Sequence, residues 1–577
     1  MCGIAGIFSK TINKNMEEKC LKMFDLLSHR GPDGEGFFKN PNNIMYHKRL
    51  SIIDIKGGKQ PIENQRYVLI ANGEIYNDLE IRNQNKNYKF ISHSDCESIL
   101  CVYENFGING FKKLRGMFAF AIYDKITNEL ILGRDVFGIK PLFFCYQDQT
   151  FIYSSEIQSI LKSNTFKAKL NKNKIKELLQ LQFTTGRNTI FDGILRLRPG
   201  EILTLKDYRI KNSKILDKQI SKKNLNIQKS LEELESSVLV HQRSDVPYGL
   251  FFSGGIDSTL ILYLMSLVNS NPINCYSIVF EPVDRNIIKN ICSQFNVNLK
   301  FVNFEKNDFW NLLPIVANAL DDPIIDYATV PTYKLAQVAK NDVKVVLSGE
   351  GGDEIFGGYG RYRASMRTFF KKEIFTNGAF KKFKYFNNKL SGWDFEIKQC
   401  KIRNMNQKIT KLQKTQLIDF ENWLPNDLLT KLDRCLMANG LEGRTPLVDK
   451  DIFQKFFLMK DNLKIKNGLG KHFLREFLNK RLKFYNAFEK KKGFTVPIRD
   501  WIPEKSKILE KILPRVSCLN SLFSKKEIAG LCKTLKYDAK ASIPVWHLIF
   551  FALWYIANVE NRKIDGNTFE VLSDNTM

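Results

Sequence analysis

Paired cysteines are missing from this sequence. It has eleven cysteines, an odd number, with no CxxC pair and no Cys/His run at metal spacing, so neither a disulfide framework nor a zinc site is expected. A reducing cytoplasm suits that usage. A signal-like start is missing too: the apolar part of MCGIAGIFSKTINK is short and no basic segment precedes it. Long apolar runs are scarce. The one candidate, Ile543 to Val559, is interrupted by Pro544, His547 and Asn558. Its roughly 15 strongly apolar residues fall short of the ~20 that span a bilayer, so a buried terminal helix is expected and membrane insertion is not. There is no internal repeat, no low-complexity block and no arginine-rich or aromatic-interleaved tract. A specific nucleic-acid partner is therefore not expected, although the formal charge of +27 attracts anions in general; the lysines are scattered rather than gathered.

What is present is ordinary globular material. With 44% hydrophobic and 26% charged residues the chain has enough for real cores. Its 577 residues predict two to four domains at about 150 residues each. Up to about residue 205, short apolar runs such as RYVLIANGEIYN and MFAFAIYDKITNELILGRD alternate with Gly, Asn and Asp breaks, which predicts a strand-rich domain with a few helices. Residues 206–230 turn polar and lysine-rich and read as a linker. From 231 to 560, the strand-like YGLFF, YSIVF, KFVNF and VKVVLS alternate with helical stretches, which predicts a parallel sheet with crossover helices followed by a largely helical region. Residues 561–577 read as a frayed tail.

Three constellations carry chemistry. The first begins at Cys2. With Met1 removed, its thiol lies beside its own amine, whose pKa of about 8 suits it to take the thiol proton. The same segment holds His29-Arg30-Gly31-Pro32-Asp33, Arg49-Leu50-Ser51-Ile52, Asn72-Gly73-Glu74-Ile75-Tyr76-Asn77 and Ser94-Asp95-Cys96-Glu97. Together these resemble class II glutamine amidotransferases. An attack on a carboxamide needs donors for the oxyanion, and the Asn72 side chain with the Gly73 N–H suit that need. The resemblance implies that Arg49 and Asp95 receive the α-carboxylate and α-ammonium of glutamine, with Glu74 nearby. His29 reads as a turn-stabilising residue.

The second is Phe252-Ser253-Gly254-Gly255-Ile256-Asp257-Ser258, a small-residue loop between a buried strand and a helix, where N–H groups and the positive helix end converge on an anion. No Gly-Lys-Ser/Thr follows, so it is not a Walker A loop. It resembles the PP-loop of N-type ATP pyrophosphatases. The third, Ser348-Gly349-Glu350-Gly351-Gly352-Asp353-Glu354, also follows a buried strand and suits a loop around a metal-bound nucleotide.

Taken together, the chain resembles the glutamine-hydrolysing asparagine synthetase family. Leu441 to Asp449, Lys471 to Arg475, and Lys492-Gly493-Phe494 with Pro497 and Trp501 extend the likeness over nearly its whole length. The resemblance implies an α/β protein of two domains: an N-terminal αββα sandwich of the Ntn-hydrolase type, and a C-terminal adenine-nucleotide α-hydrolase-like domain. It implies ATP and Mg²⁺, with Phe252, Ser253, Gly254, Gly255, Asp257, Ser258, Ile278, Ser348, Gly349 and Lys471 at the nucleotide and Asp257 and Asp353 at the metal. Cys2 and Glu350 are the catalytic candidates, Glu350 either helping ammonia lose a proton or positioning substrate. Glutamine, ATP and a carboxylate acceptor are the expected small-molecule partners, and a homodimer is one candidate assembly. Aspartate is the favoured acceptor. The segment Asp321 to Pro331 carries no basic residue where some family members do, and Val283-Asp284-Arg285 stands where an acidic pair is usual, so a sugar uronate is the alternative.

Overall fold

The computed structural model describes residues 2–167, 169–218, 227–366, 378–489 and 496–574. Strand periodicity organises the first domain. In the strand Gly3–Ser9, Ile4 and Phe8 face one way and Ala5 and Ile7 the other; in Tyr67–Ile75, Val68 and Ile70 oppose Leu69 and Ala71. Side chains alternate along a strand, so a strand apolar on both faces must be covered twice. Two antiparallel sheets of six strands each meet through Ile4, Phe8, Val68, Ile70, Phe144 and Tyr153. The helix Lys14–Asp25 seals the outer face of one with Cys20 and Met23, and Glu97–Phe106 seals the other with Ile99, Leu100 and Val102. This is the αββα sandwich that the resemblance implies.

Its last strand corrects the expected boundary. Arg209–Ile215 pairs with Glu201–Lys206, so the sheet continues past residue 205 into the stretch read as linker. The strand lies at the sheet edge and is exposed nearly throughout. An edge strand without a buried face needs no apolar alternation, so its text, RIKNSKI, resembles a loop. Residues 219–226 lie outside the described residues.

The second domain carries five parallel strands. In chain order they are Tyr248–Phe251, Ile273–Ile278, Val297–Val302, Val345–Leu347 and Glu442–Arg444; in space the order is third, second, first, fourth, fifth. The winding reverses between the first and fourth strands. Crevices for ligands open at such a switch point, beyond the carboxyl ends of the strands. The SGGIDS loop leaves the first strand there and the SGEGGDE loop leaves the fourth.

The apolar run near the end forms the helix Ser542–Asn558, buried as expected. Trp546 Nε1 donates to the Ile325 carbonyl at 2.6 Å, and His547 Nδ1 bonds the Leu179 carbonyl of the first domain at 2.6 Å. The expected frayed tail is corrected: Thr568–Asp574 is a helix that buries Val571 and Leu572, and Thr568 Oγ1 donates to the Trp310 carbonyl at 2.7 Å. Phe569 stacks obliquely on Trp310 and lies three residues from Leu572, so the two share one face of this short helix. Residues 575–577 lie outside the described residues. All eleven cysteines are unpaired and buried.

Candidate functional site

Cys2 precedes a strand of one sheet, and Asn72, Gly73 and Glu74 lie near the end of a strand in the other. The two sheets thus supply the nucleophile and the groups facing it. The Cys2 backbone N–H donates to Asn72 Oδ1 at 3.0 Å, which fixes the orientation of the amide. Asn72 Nδ2 is then buried with no hydrogen-bond partner, a donor left over beside the nucleophile. A buried donor without an acceptor costs free energy until a ligand supplies one. At Gly73 a Cβ would lie 2.1 Å from the Met117 carbonyl, so only glycine brings the backbone this close.

The cleft at Cys2 is lined by Arg49, Gly73, Glu74, Asp95 and Glu442. The Arg49 guanidinium is anchored by the carbonyls of Ile53, Asp54 and Ile55 at 3.1, 2.6 and 3.0 Å. Asp95 accepts the Ile75 N–H at 2.6 Å; burial pushes its carboxyl up to about 6, against the pull of that bond and of Arg444. Burial also raises the Cys2 thiol, more than the terminal ammonium and the Leu50 backbone lower it. The thiol therefore keeps its proton at rest, and attack requires a base. Residue 1 lies outside the described residues.

Three functional side chains escaped the sequence reading although each stands in a quoted motif. Arg444, fully buried, donates to Glu442 at 2.6 Å and to Glu74 at 3.2 Å, joining the second domain to the glutamine cleft. Glu442 resists its burial because the terminal ammonium, Arg444 and Lys140 together pull it down to about 2. Arg30 donates to the Cys2 carbonyl at 3.2 Å, to Glu156 at 2.8 Å and to both oxygens of Asp433 at 2.9 and 3.1 Å. His29 bonds the same Glu156 at 3.1 Å. A buried arginine requires carboxylates, and Arg30 and Arg444 each take one from their own domain, Glu156 or Glu442, and one from the other, Asp433 or Glu74.

In the crevice of the second domain, Gly255 caps the eleven-residue helix Ile256–Ser266, which starts with Asp257 and Ser258. Ser258 Oγ accepts the Ser253 N–H at 3.3 Å, tightening the loop, and Phe252 donates to the Tyr276 carbonyl at 2.9 Å. Ile278 ends the neighbouring strand as a buried wall. From the other loop, Gly349 and Gly352 pack directly on Asp257; a Cβ at Gly352 would lie 2.4 Å from Asp257 Oδ1. That oxygen is buried without a partner. Asp257 Oδ2 takes Lys471 Nζ at 2.5 Å, and the same ammonium reaches Asp353 Oδ1 at 2.8 Å. Burial pushes Asp257 up to about 6 even with Lys471 opposing and Asp353 adding to the rise. Asp257, Asp353, Gly349, Gly352 and Lys471 are therefore gathered around one position. Arg475 is turned elsewhere, to the carbonyls of Gly470, Ala487 and Glu489. Lys492, Gly493 and Phe494 lie outside the described residues.

Among the described residues no group of three or more His, Cys, Asp or Glu is placed to hold a metal. Two carboxylates with phosphate oxygens are what Mg²⁺ commonly takes, and Asp257, with one orphaned oxygen, and Asp353 fit that pattern. Glu350, on the same loop, is partly exposed and lies 3.7 Å from Lys431 Nζ. Lys431 is a fourth residue that sequence reasoning missed.

Comparison with known proteins gives two domain matches: residues 1–215 match a glutamine amidotransferase domain, and residues 229–556 match asparagine synthase. The protein called asparagine synthetase [glutamine-hydrolyzing] 1 of Bacillus subtilis (strain 168) is 30% identical, over 97% of this chain and 98% of its own. Asparagine synthetase B [glutamine-hydrolyzing] of Escherichia coli (strain K12) is 31% identical over 62% of this chain and 65% of its own. A putative asparagine synthetase of Methanocaldococcus jannaschii is 33% identical over 62% of this chain and 76% of its own.

Proposed function

This chain belongs to the asparagine synthase family, and from that premise we propose that it converts aspartate, glutamine, ATP and water to asparagine, glutamate, AMP and pyrophosphate. It is an ATP-dependent ligase that draws nitrogen from glutamine. Cys2 attacks the glutamine carboxamide and its own amine takes the proton. Arg49 and Asp95 hold the α-carboxylate and α-ammonium, and Asn72 Nδ2 with the Gly73 N–H receives the oxyanion. Replacing Asn72 with alanine is expected to lower kcat for glutamine hydrolysis about 10²–10³-fold. Synthesis from ammonia should stay as it was; equal loss with both nitrogen sources would mean that Asn72 only supports the fold.

In the crevice, the SGGIDS loop and the start of its helix bind phosphate. Asp257 and Asp353 hold Mg²⁺, which when bound neutralises phosphate charge. Lys471 moves from those carboxylates to the departing pyrophosphate. The acceptor carboxylate becomes an acyl-adenylate, and Glu350 takes a proton from ammonia as it attacks. The observation that carries this reading is the strand Glu442–Arg444. Glu442 lines the Cys2 cleft, while the Arg444 carbonyl accepts the Ser348 N–H of the nucleotide loop at 2.9 Å. Three strand residues span about 10 Å, so this strand puts the two sites close together, and the reading has ammonia cross the domain boundary there.

Unpaired, buried cysteines support a cytoplasmic setting, and scattered lysines support a general surface charge rather than a nucleic-acid or membrane partner. The test is glutamine-dependent AMP formation over a panel of carboxylates. Aspartate should give the highest kcat/KM, and a uronate outperforming it would overturn the acceptor assignment.

A further inference from the structure

Next to Glu350 lie three buried charged side chains, Lys431, Asp326 and Asp427, that the reaction described so far does not use. Lys431, on the helix Leu429–Met437, is 5% exposed, and its ammonium donates to Asp326 Oδ2 at 2.9 Å. Glu350 of the SGEGGDE loop is its second neighbour, at 3.7 Å. Asp427, one helical turn before Lys431, feels the same charges: Asp326, Lys431 and Glu350 all act on it through space. Asp427 Oδ2 accepts Gln182 Nε2 at 2.9 Å, whereas Asp427 Oδ1 is fully buried with no partner. Asp427 also sits in a π-helical stretch, Leu424–Leu428, immediately before the helix of Lys431. Such turns are rare and concentrate at functional sites.

Charge and donor counts define what fits here. One lysine stands among three carboxylates, an excess of negative charge that invites a cation. Asp326 takes one of the three N–H donors of the Lys431 ammonium and Glu350, at 3.7 Å, is beyond hydrogen-bond reach, so donors remain for an incoming anion. Asp326 is held by Lys431 on Oδ2 and by the Ala328 N–H on Oδ1 at 3.0 Å, and its carboxylate keeps further lone pairs. A ligand that is both anion and cation satisfies both sides. The head group of an amino acid is such a ligand. A sugar uronate is not, because its one carboxylate is consumed in the reaction and it carries no ammonium.

We propose that Lys431 and Asp326 form the subsite that selects an amino-acid acceptor, Lys431 receiving its α-carboxylate and Asp326 its α-ammonium. This rests on the ligase reading above. The segment Asp321 to Pro331 has no basic residue of its own, and its cation is delivered from a helix 105 residues beyond Asp326.

The experiment pairs side-chain changes with substrates trimmed at the same group. β-Alanine is aspartate without its α-carboxylate, and succinate is aspartate without its α-ammonium. Lys431→Met should lower kcat/KM for aspartate about hundredfold or more, because a site built for a polar group rejects its absence strongly. With β-alanine, measured as substrate or as competitive inhibitor, the same variant should change within about threefold. Asp326→Asn should show the same selectivity for succinate. Lys431→Arg keeps the charge and should recover part of the loss, and retained glutamine hydrolysis shows that each variant is folded. Equal losses on aspartate and β-alanine would overturn the proposal, since Lys431 would then only brace Glu350 and Asp326. If the unaltered enzyme forms AMP with a uronate and not with aspartate, the ligase reading of the acceptor fails first, which is a separate and visible outcome.

Discussion

Cys2→Ala protein is expected to lose glutamine-dependent synthesis completely while forming product from ammonia at an unchanged rate. Of the two thiols that line the cleft, Cys2 is the one beside Asn72 and Gly73, whereas Cys96 is buried next to Asp95 and its thiol is pushed well up by desolvation, so the activity with glutamine rests on Cys2. Its backbone N–H and carbonyl, which bond Asn72 and Arg30, survive the substitution, so the cleft keeps its shape. Alanine also removes a buried thiol whose ionised form is disfavoured by desolvation, so no charge is stranded. Steady-state synthesis with glutamine and with ammonium chloride checks this. Loss of both activities in a folded variant would refute the separation of the two sites.

The second large effect lies in the crevice. Asp257→Asn and Asp353→Asn should each lower synthesis hundredfold or more with either nitrogen source, because each removes a charge from the position proposed for metal and phosphate. Uncoupled glutamine hydrolysis should persist. Fold stability should change little at Asp257: burial already pushes its carboxyl up to about 6, so the amide relieves a desolvated charge, and Asp353 still holds Lys471. Measured ATP cleavage decides the matter. Near-normal AMP formation in either variant would mean that the two glycine loops are structural turns.

Local spelling was legible in the sequence, and distant pairing was not. SGGIDS and SGEGGDE could be placed because each follows a short apolar strand, and Tyr67–Ile75 because its apolar run ends in turn residues. Arg209–Ile215 could not be placed, since an exposed edge strand has no apolar face to display. Neither could the roles of Arg30, Glu442 and Arg444, whose partners Asp433 and Glu74 lie hundreds of residues away on the other domain. Lys431 sits in the text LLTKLDRCLM, where Lys, Asp and Arg interrupt leucines at helical spacing. That pattern foretells buried pairs without naming them, and only the fold brings Asp326 to Lys431.

The central claim is that nitrogen freed at Cys2 meets a carboxylate activated as its adenylate over the SGGIDS loop. Incubation with carboxyl-¹⁸O-labelled aspartate, amide-¹⁵N-labelled glutamine, ATP and Mg²⁺ tests it most directly. Asparagine should carry ¹⁵N and AMP one ¹⁸O from the acceptor, in equal amounts. Unlabelled AMP, or ¹⁸O in inorganic phosphate with ADP as the nucleotide product, would contradict it.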